Sequence, residues 1–173
     1  MEKTKDFHIR DARDDEREAI KEVTVAAYEE YSAVIPWHFW EAYQQHILMT
    51  IDSEGSVERI VAEHKGTVIG SVLFYPSLDN VYPGVRVDVD WPEVRLLAVV
   101  PGARGQGVGT ALMDECERRA SRAGATMLGL HTMEMMQVAI AMYERRGFER
   151  APELDFYPAE GVLVKGYRRS LTS

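Results

Sequence analysis

The sequence predicts an α/β protein with a central mixed sheet and helices on both faces, and three observations predict it. A short apolar run, Leu96 to Val100, is stopped by Pro101-Gly102 and leads through a glycine-rich turn into helical periodicity. Two neighbouring strand patterns, Arg59 to Glu63 and Thr67 to Tyr75, flank a His64-Lys65-Gly66 turn, as in an antiparallel hairpin. Elsewhere strand patterns alternate with helical ones, as parallel neighbours require. Hairpins together with helical crossovers imply a sheet of mixed direction.

Taken in order, Phe7-His8-Ile9-Arg10 alternates apolar and polar and reads as the first strand. Asp14-Asp15-Glu16 opens a helix with acids in its first turn, where the helix dipole favours them. Ile20, Val23, Ala27, Tyr28 and Tyr31 form its apolar stripe, and Ile35-Pro36 breaks it. A second helix runs from about Trp37 to Met49 and holds Phe39, Trp40, Tyr43, Ile47 and Leu48. The cluster Asp52 to Ser56 is a loop before the hairpin. Pro76 to Pro92 reads as an edge strand or a long ordered loop, because Val85, Val87 and Val89 alternate with Arg86, Asp88 and Asp90. After the central strand, Val108, Ala111, Leu112, Cys116, Ala120 and Ala123 recur at helical spacing, with Gly124 as the stop. Thr126 to His131 is a strand, and Met135 to Arg146 a helix capped by Gly147. Phe148 to Leu154 and Val162 to Arg169 are late strands joined by the loop Asp155 to Gly161. The order is β-αα-βββ-α-β-α-ββ, and 173 residues fit one domain, 1–173.

Net charge is −8 with no basic stripe, which disfavours a nucleic-acid binder and suits cationic molecules such as protonated amines. No apolar run approaches the roughly 20 residues that span a bilayer. The first six residues have no apolar stretch behind them, so no signal peptide is expected. Cys116, the single cysteine, excludes an internal disulfide; it reads as a small buried hydrophobe rather than a reactive thiol. The cytoplasm is the expected compartment.

Strand, glycine turn and helix is how a chain offers backbone N–H groups to an anion, since the first helical turn leaves its N–H groups unpaired and the dipole favours negative charge. Gly105, Gly107 and Gly109 give G-x-G-x-G, which is not the dinucleotide pattern, and no lysine follows as a P-loop needs. A nucleotide-binding module is therefore disfavoured. The turn does carry arginine-x-x-glycine-x-glycine, at Arg104, Gly107 and Gly109. A second motif, Ala139 to Phe148, is a helix with Tyr143 near its end, then three polar residues and Gly147-Phe148.

With these two motifs in this order and spacing, the chain resembles the GNAT superfamily of acetyl-CoA-dependent N-acetyltransferases over roughly Phe7 to Leu171. The resemblance implies the GNAT-type acyl-CoA N-acyltransferase fold, in which the fourth and fifth strands splay around the pantetheine arm. It implies acetyl-CoA as co-substrate and no metal. The CoA pyrophosphate would lie on the backbone N–H groups of Arg104, Gly105, Gln106, Gly107, Val108, Gly109 and Thr110. The oxyanion donor would be a backbone N–H where the central strand bulges, at Leu97, Ala98 or Val99, whose apolar side chains also suit a core.

Acetyl transfer to an amine needs a neutral nucleophile, a donor for the oxyanion and an acid for the thiolate. An amine with pKa near 10 needs a base or a water relay to be neutral. Tyr143 aligns with the family tyrosine near the CoA sulfur, although a tyrosine on a helix face can equally be core. Glu93, five residues before Ala98, aligns with the glutamate base of the superfamily's histone acetyltransferases, and its other reading is a solvated strand-end carboxylate. His131 lies where the ribosomal-protein acetyltransferases place a glutamate, and a histidine can serve as base; its other reading is a satisfied polar residue at a strand end. Asp88 and Asp90 could hold a substrate ammonium, and a solvated face is the simpler account. Met136 stands where many members have an asparagine that bonds the cofactor, which weakens the analogy to the ribosomal-protein enzymes.

The expected function is transfer of an acetyl group to a primary amine of a small molecule or peptide; the alternative is a catalytically idle acyl-CoA-binding regulatory domain. Specificity should come from Tyr28 to Trp40, Tyr75 to Trp91 and Asp155 to Gly161, with Tyr28, Tyr31, Trp37 and Trp40 either walling a pocket or packing in the core. No nucleic acid or membrane is expected as partner, and a homodimer is compatible with the sequence.

Overall fold

A computed structural model describes residues 6–76 and 91–172. The alternating segment around Val85, Val87 and Val89, with Asp88 and Asp90, lies outside the described residues. The chain forms two compact units, Met1–Phe74 with Leu96–Cys116 and Tyr75–Arg95 with Glu117–Ser173. Among the described residues there are eight strands and four α-helices.

The first unit begins with β1 (His8–Asp11), which pairs antiparallel with β2 (Glu58–His64), itself antiparallel to β3 (Thr67–Tyr75). His64 and Thr67 close the hairpin, and Lys65 and Gly66 between them have φ 48° and 81°. Positive φ at both central residues is the turn whose twist matches a two-residue hairpin. The ladder slips once, between Ala62↔Gly70 and Glu63↔Val68, so Ile69 bulges; its carbonyl accepts the N–H of Val100 at 3.0 Å, tying the end of β4 (Glu93–Val99) to β3. Helix α1 (Arg17–Tyr28) packs on α2 (Trp37–Ile51). The predicted acidic start, Asp14–Glu16, is a separate 3₁₀ turn. Glu16 is buried there because both its oxygens take bonds from Arg10, at 2.7 and 2.8 Å. Those bonds hold its carboxyl down to about pKa 2 against the opposing effect of burial.

In the second unit β4 pairs parallel with β5 (Met127–Met133), at Glu93↔Gly129 and Val94↔Leu130. β5 runs antiparallel to β8 (Val162–Ser170), which also pairs with β6 (Glu149–Arg150) and β7 (Phe156–Ala159). The remaining helices are α3 (Val108–Arg122), whose first residues belong to the first unit, and α4 (Gln137–Arg145). The sheet is mixed, as expected. The late strands differ from the expectation. Phe148 to Leu154 is not one strand: Pro152 has no N–H for a ladder, and Pro152–Leu154 turns as a 3₁₀ helix after the two-residue β6. The expected loop Asp155 to Gly161 contains β7, whose Pro158 is tolerated in a short strand paired on one side.

Candidate active site

The glycine turn lies in the first unit. Pro101–Ala103 is a 3₁₀ turn, after which Gly105 and Gly107 take φ 75° and 83° before α3 begins at Val108. A side chain at either glycine would meet nothing within 4 Å, so backbone conformation and not crowding demands glycine there. The bond from Ala111 N–H to the Gly107 carbonyl starts the helix and leaves Val108, Gly109 and Thr110 as its first turn. The start of α3 is held close to β3 by a different glycine. A Cβ on Gly70 would lie 2.8 Å from Val108 Cγ1 and 3.2 Å from Leu112 Cδ1.

The Arg104 side chain turns towards α1. Its guanidinium donates to the Ala27 carbonyl at 3.0 Å and pairs with Glu30 at 3.1 Å, and its backbone N–H meets the Pro101 carbonyl at 3.3 Å. Beside it, Tyr28 donates its hydroxyl to the Leu97 carbonyl at 2.8 Å. Leu97 follows Leu96, whose φ of 52° is left-handed and unusual for a branched residue in a strand. Leu96 lies one residue before the stretch Leu97 to Val99, where the resemblance would place the bulge. Ala98 is buried against Val23 and Ala27 of α1. Of the four aromatic residues singled out in the sequence, Trp40 is core, Trp37 is exposed, and Tyr28 and Tyr31 are half-buried. The Tyr28 ring is parallel to that of Tyr43, which stacks in turn on Phe39.

In the second unit the structure brings together two residues that the sequence offered as rivals. Glu93 on β4 and His131 on β5 are hydrogen-bonded through Oε1 and Nδ1. Their side chains are 2% and 3% exposed, so the bond is shielded from water. On the other edge of the ring, His131 Nε2 lies 2.9 Å from the Leu154 carbonyl. A carbonyl oxygen only accepts, so Nε2 carries a hydrogen, and one further proton is shared between Nδ1 and Glu93. Burial opposes a charged imidazole, but the bond to Glu93, the Glu93 charge and the Leu154 carbonyl prevail over it and over Arg95, and the His131 pKa lies above its ordinary value. Both ring nitrogens are thus engaged. Glu93 Oε2, in contrast, is buried with no hydrogen-bond partner among the described residues. An ionised oxygen in that state is costly unless a ligand donor meets it.

Two glycines that sequence reasoning passed over stand opposite this pair in the ladders. Gly129 stands opposite Glu93 in the ladder, and a Cβ there would lie 2.6 Å from Trp91 Nε1. Gly166 stands opposite His131, and a Cβ there would lie 2.6 Å from Leu154 Cβ, displacing the carbonyl that His131 holds. A lone glycine inside a strand is the available signal for such close approach. Asp155, next along, fixes the same corner through Arg150 at 2.6 Å and the Gly166 N–H at 2.9 Å.

Tyr143 is 7% exposed near the end of α4, edge-on to Phe148 with ring centroids 5.9 Å apart. Met136 is buried before α4, where its sulfur accepts the Thr132 hydroxyl at 3.4 Å. Cys116 is buried. No group of metal-binding side chains occurs among the described residues, and no helix there is long and apolar enough to cross a membrane.

Comparison with known proteins agrees with this architecture. The chain is 29% identical over 115 residues to the IAA acetyltransferase of Azospirillum brasilense, covering 65% of this chain and 69% of that protein. It is 25% identical over 138 residues to the mycothiol acetyltransferase of Nocardia farcinica, covering 71% of this chain but only 40% of that longer protein. Among solved structures, PaiA N-acetyltransferase from Thermoplasma acidophilum in complex with coenzyme A superposes with a TM-score of 0.70 at 16% identity, covering 95% of this chain and 98% of that one. The model of the acetyltransferase (GNAT) family matches residues 17–148, which takes in the glycine turn, the Glu93–His131 pair and the Tyr143 motif. The protein belongs to the GNAT acetyltransferase family and has its mixed α/β fold.

Proposed function

We propose that this acetyltransferase moves the acetyl group of acetyl-CoA to a primary amine of a small molecule or peptide. The observation that carries this reading is Glu93: one carboxylate oxygen is held by His131, and the other is buried without a hydrogen-bond partner among the described residues. Such an oxygen suits an ammonium, which donates a hydrogen bond first and a proton afterwards. The family match and the relatives named for mycothiol and IAA acetylation support a small-molecule acceptor. The neighbour in complex with coenzyme A supports the cofactor.

In this reading residues 1–173 act as one catalytic domain. The pyrophosphate takes hydrogen bonds from the N–H groups of Gly105 to Thr110, with the left-handed glycines letting it come close; the Arg104 N–H, expected to join them, is taken by the Pro101 carbonyl. The amine, having lost a proton to Glu93 directly or through water, attacks the thioester carbonyl carbon. Its C–N bond forms as the carbonyl π pair moves onto oxygen, where backbone N–H groups from Leu97 to Val99 stabilise the charge. The oxyanion pair then reforms the carbonyl as the C–S bond breaks; the thiolate takes a proton from the Tyr143 hydroxyl, and the extra proton on the new amide nitrogen passes to the tyrosinate, restoring Tyr143. His131 is not the base here, because both its nitrogens are occupied; it holds Glu93 in place. The buried lone cysteine is consistent with a cytoplasmic enzyme.

The test is thiol release from acetyl-CoA across polyamines, amino acids, aminoglycosides and peptide N-termini, with parent protein and Glu93→Gln side by side. Release by the parent with at least one amine and its loss in the variant are expected. Tight acetyl-CoA binding with no release across the whole panel would instead mean an idle acyl-CoA-binding domain.

A further inference from the structure

The last turn of α1 reaches the backbone of β4 through a side-chain hydroxyl. Tyr28 Oη donates to the Leu97 carbonyl at 2.8 Å, across 69 residues of sequence. That carbonyl follows Leu96, one of two non-glycine residues with positive φ among those described, and the other, Lys65, sits in a hairpin turn that calls for it. Nothing comparable in local sequence calls for a left-handed leucine inside a strand. Such a conformation is strained and persists only where its surroundings enforce it. The enforcing contacts are visible. Val100 N–H is held by the Ile69 carbonyl at 3.0 Å, Ala98 packs on Val23 and Ala27, and Tyr28 holds Leu97. The tyrosine is itself placed by its ring, parallel to Tyr43 and tilted against Tyr31 at centroid distances of 6.4 and 6.0 Å. One residue along, the Ala27 carbonyl accepts from Arg104, so the same turn of α1 also anchors the head of the glycine turn.

We propose that Tyr28 is a positioning residue for acyl transfer: by holding the Leu97 carbonyl it fixes the Leu97–Ala98 peptide beyond the kink at Leu96, and with it a peptide N–H that polarises the thioester carbonyl. This rests on the reading of the protein as an acetyl-CoA enzyme. Tyr28 touches neither substrate in this role; it acts through the β4 backbone. The held carbonyl belongs to the Leu97–Ala98 peptide, one residue beyond the left-handed Leu96, so the phenol restrains the plane that carries the Ala98 N–H. The direction of that N–H is therefore set before the thioester arrives, which is when electrostatic stabilisation is most effective.

Tyr28→Phe removes the hydroxyl and keeps the ring, so the aromatic layer and the fold should survive. The expected result is a kcat about 10-fold lower, the scale of one neutral hydrogen bond, with KM for acetyl-CoA unchanged. The second measurement needs no acceptor amine: the infrared carbonyl stretch of acetyl-CoA labelled with ¹³C at the thioester carbon, bound to each protein. The parent should shift the stretch to lower frequency, and Tyr28→Phe should shift it less at equal Kd. An equal shift and equal kcat in both proteins, with only the melting temperature lowered, would reduce Tyr28 to a structural residue and overturn the proposal. Failure of the parent to bind acetyl-CoA would overturn the underlying reading as well, and direct titration reveals that separately.

Discussion

The turn at Arg104 to Thr110 and the Glu93–His131 pair make opposite demands on their surroundings. The turn offers backbone groups on glycines whose missing side chains would touch nothing. The pair offers side chains that are almost fully buried and hydrogen-bonded at three of their four polar atoms. A backbone site can therefore be damaged only through conformation or through the space its ligand occupies. A buried side-chain site is damaged by removing any one partner, because the group left behind stays buried and unsatisfied.

The largest effect should come from breaking the turn. Gly107→Val forces a β-branched residue to φ 83° and puts methyl groups where the pyrophosphate would lie. Acetyl-CoA affinity should fall by about 100-fold or more, equivalent to losing two or more charge-assisted bonds. Gly102→Ala, one turn earlier in open space and without positive φ, should change affinity and stability by less than about 0.5 kcal/mol. Calorimetric titration of both variants checks the contrast, and a folded Gly107→Val protein with parental affinity would remove the turn from the cofactor site.

Next comes the pair. Glu93→Gln should lower kcat by about 10²–10⁴-fold at neutral pH and by less at high pH, where the amine loses its proton unaided. A pH–rate profile that only shifts downwards in parallel would instead point to a water relay independent of Glu93. Tyr143→Phe should have an effect at the low end of the same range, about 10², appearing in kcat and not in KM for acetyl-CoA. Normal turnover with a lowered melting temperature would make Tyr143 a core residue packed on Phe148.

The smallest effect is on stability. The His131 pKa is raised in the folded protein, first against burial and then by Glu93, with Arg95 opposing and Asp155 nearby. A raised pKa means that the folded state holds the proton more tightly than the unfolded chain does. Its contribution is complete below about pH 6.5, the unfolded value, and is lost as pH rises through the folded one. Melting temperature should therefore decline above that pH in the parent. In Glu93→Gln, whose imidazole has lost its carboxylate, this decline should flatten. An identical slope in both proteins would mean that the shared proton contributes nothing to folding.

Much of this molecule is local, and local chemistry can be read from sequence. Arg104-x-x-Gly107-x-Gly109 after an apolar run specifies strand, left-handed turn and helix N-terminus within about fifteen residues, because glycine conformation and helix periodicity are properties of neighbours along the chain. The Lys65-Gly66 hairpin and the stripe of α3 are determined in the same way. The late strands went astray for two reasons: Pro152 ends the ladder within Phe148 to Leu154, and β7 gains its ladder from β8. What tertiary structure alone decided is pairing across distance. Glu93 and His131 are 38 residues apart, and either could be proposed as a base from sequence; only the parallel register of β4 and β5 makes them one proton-sharing unit. Gly166 matters because Leu154 folds back onto β8, and Tyr28 because it reaches Leu97. Such contacts are made by packing, whose partners have no fixed separation in sequence, so spacing alone carries no record of them.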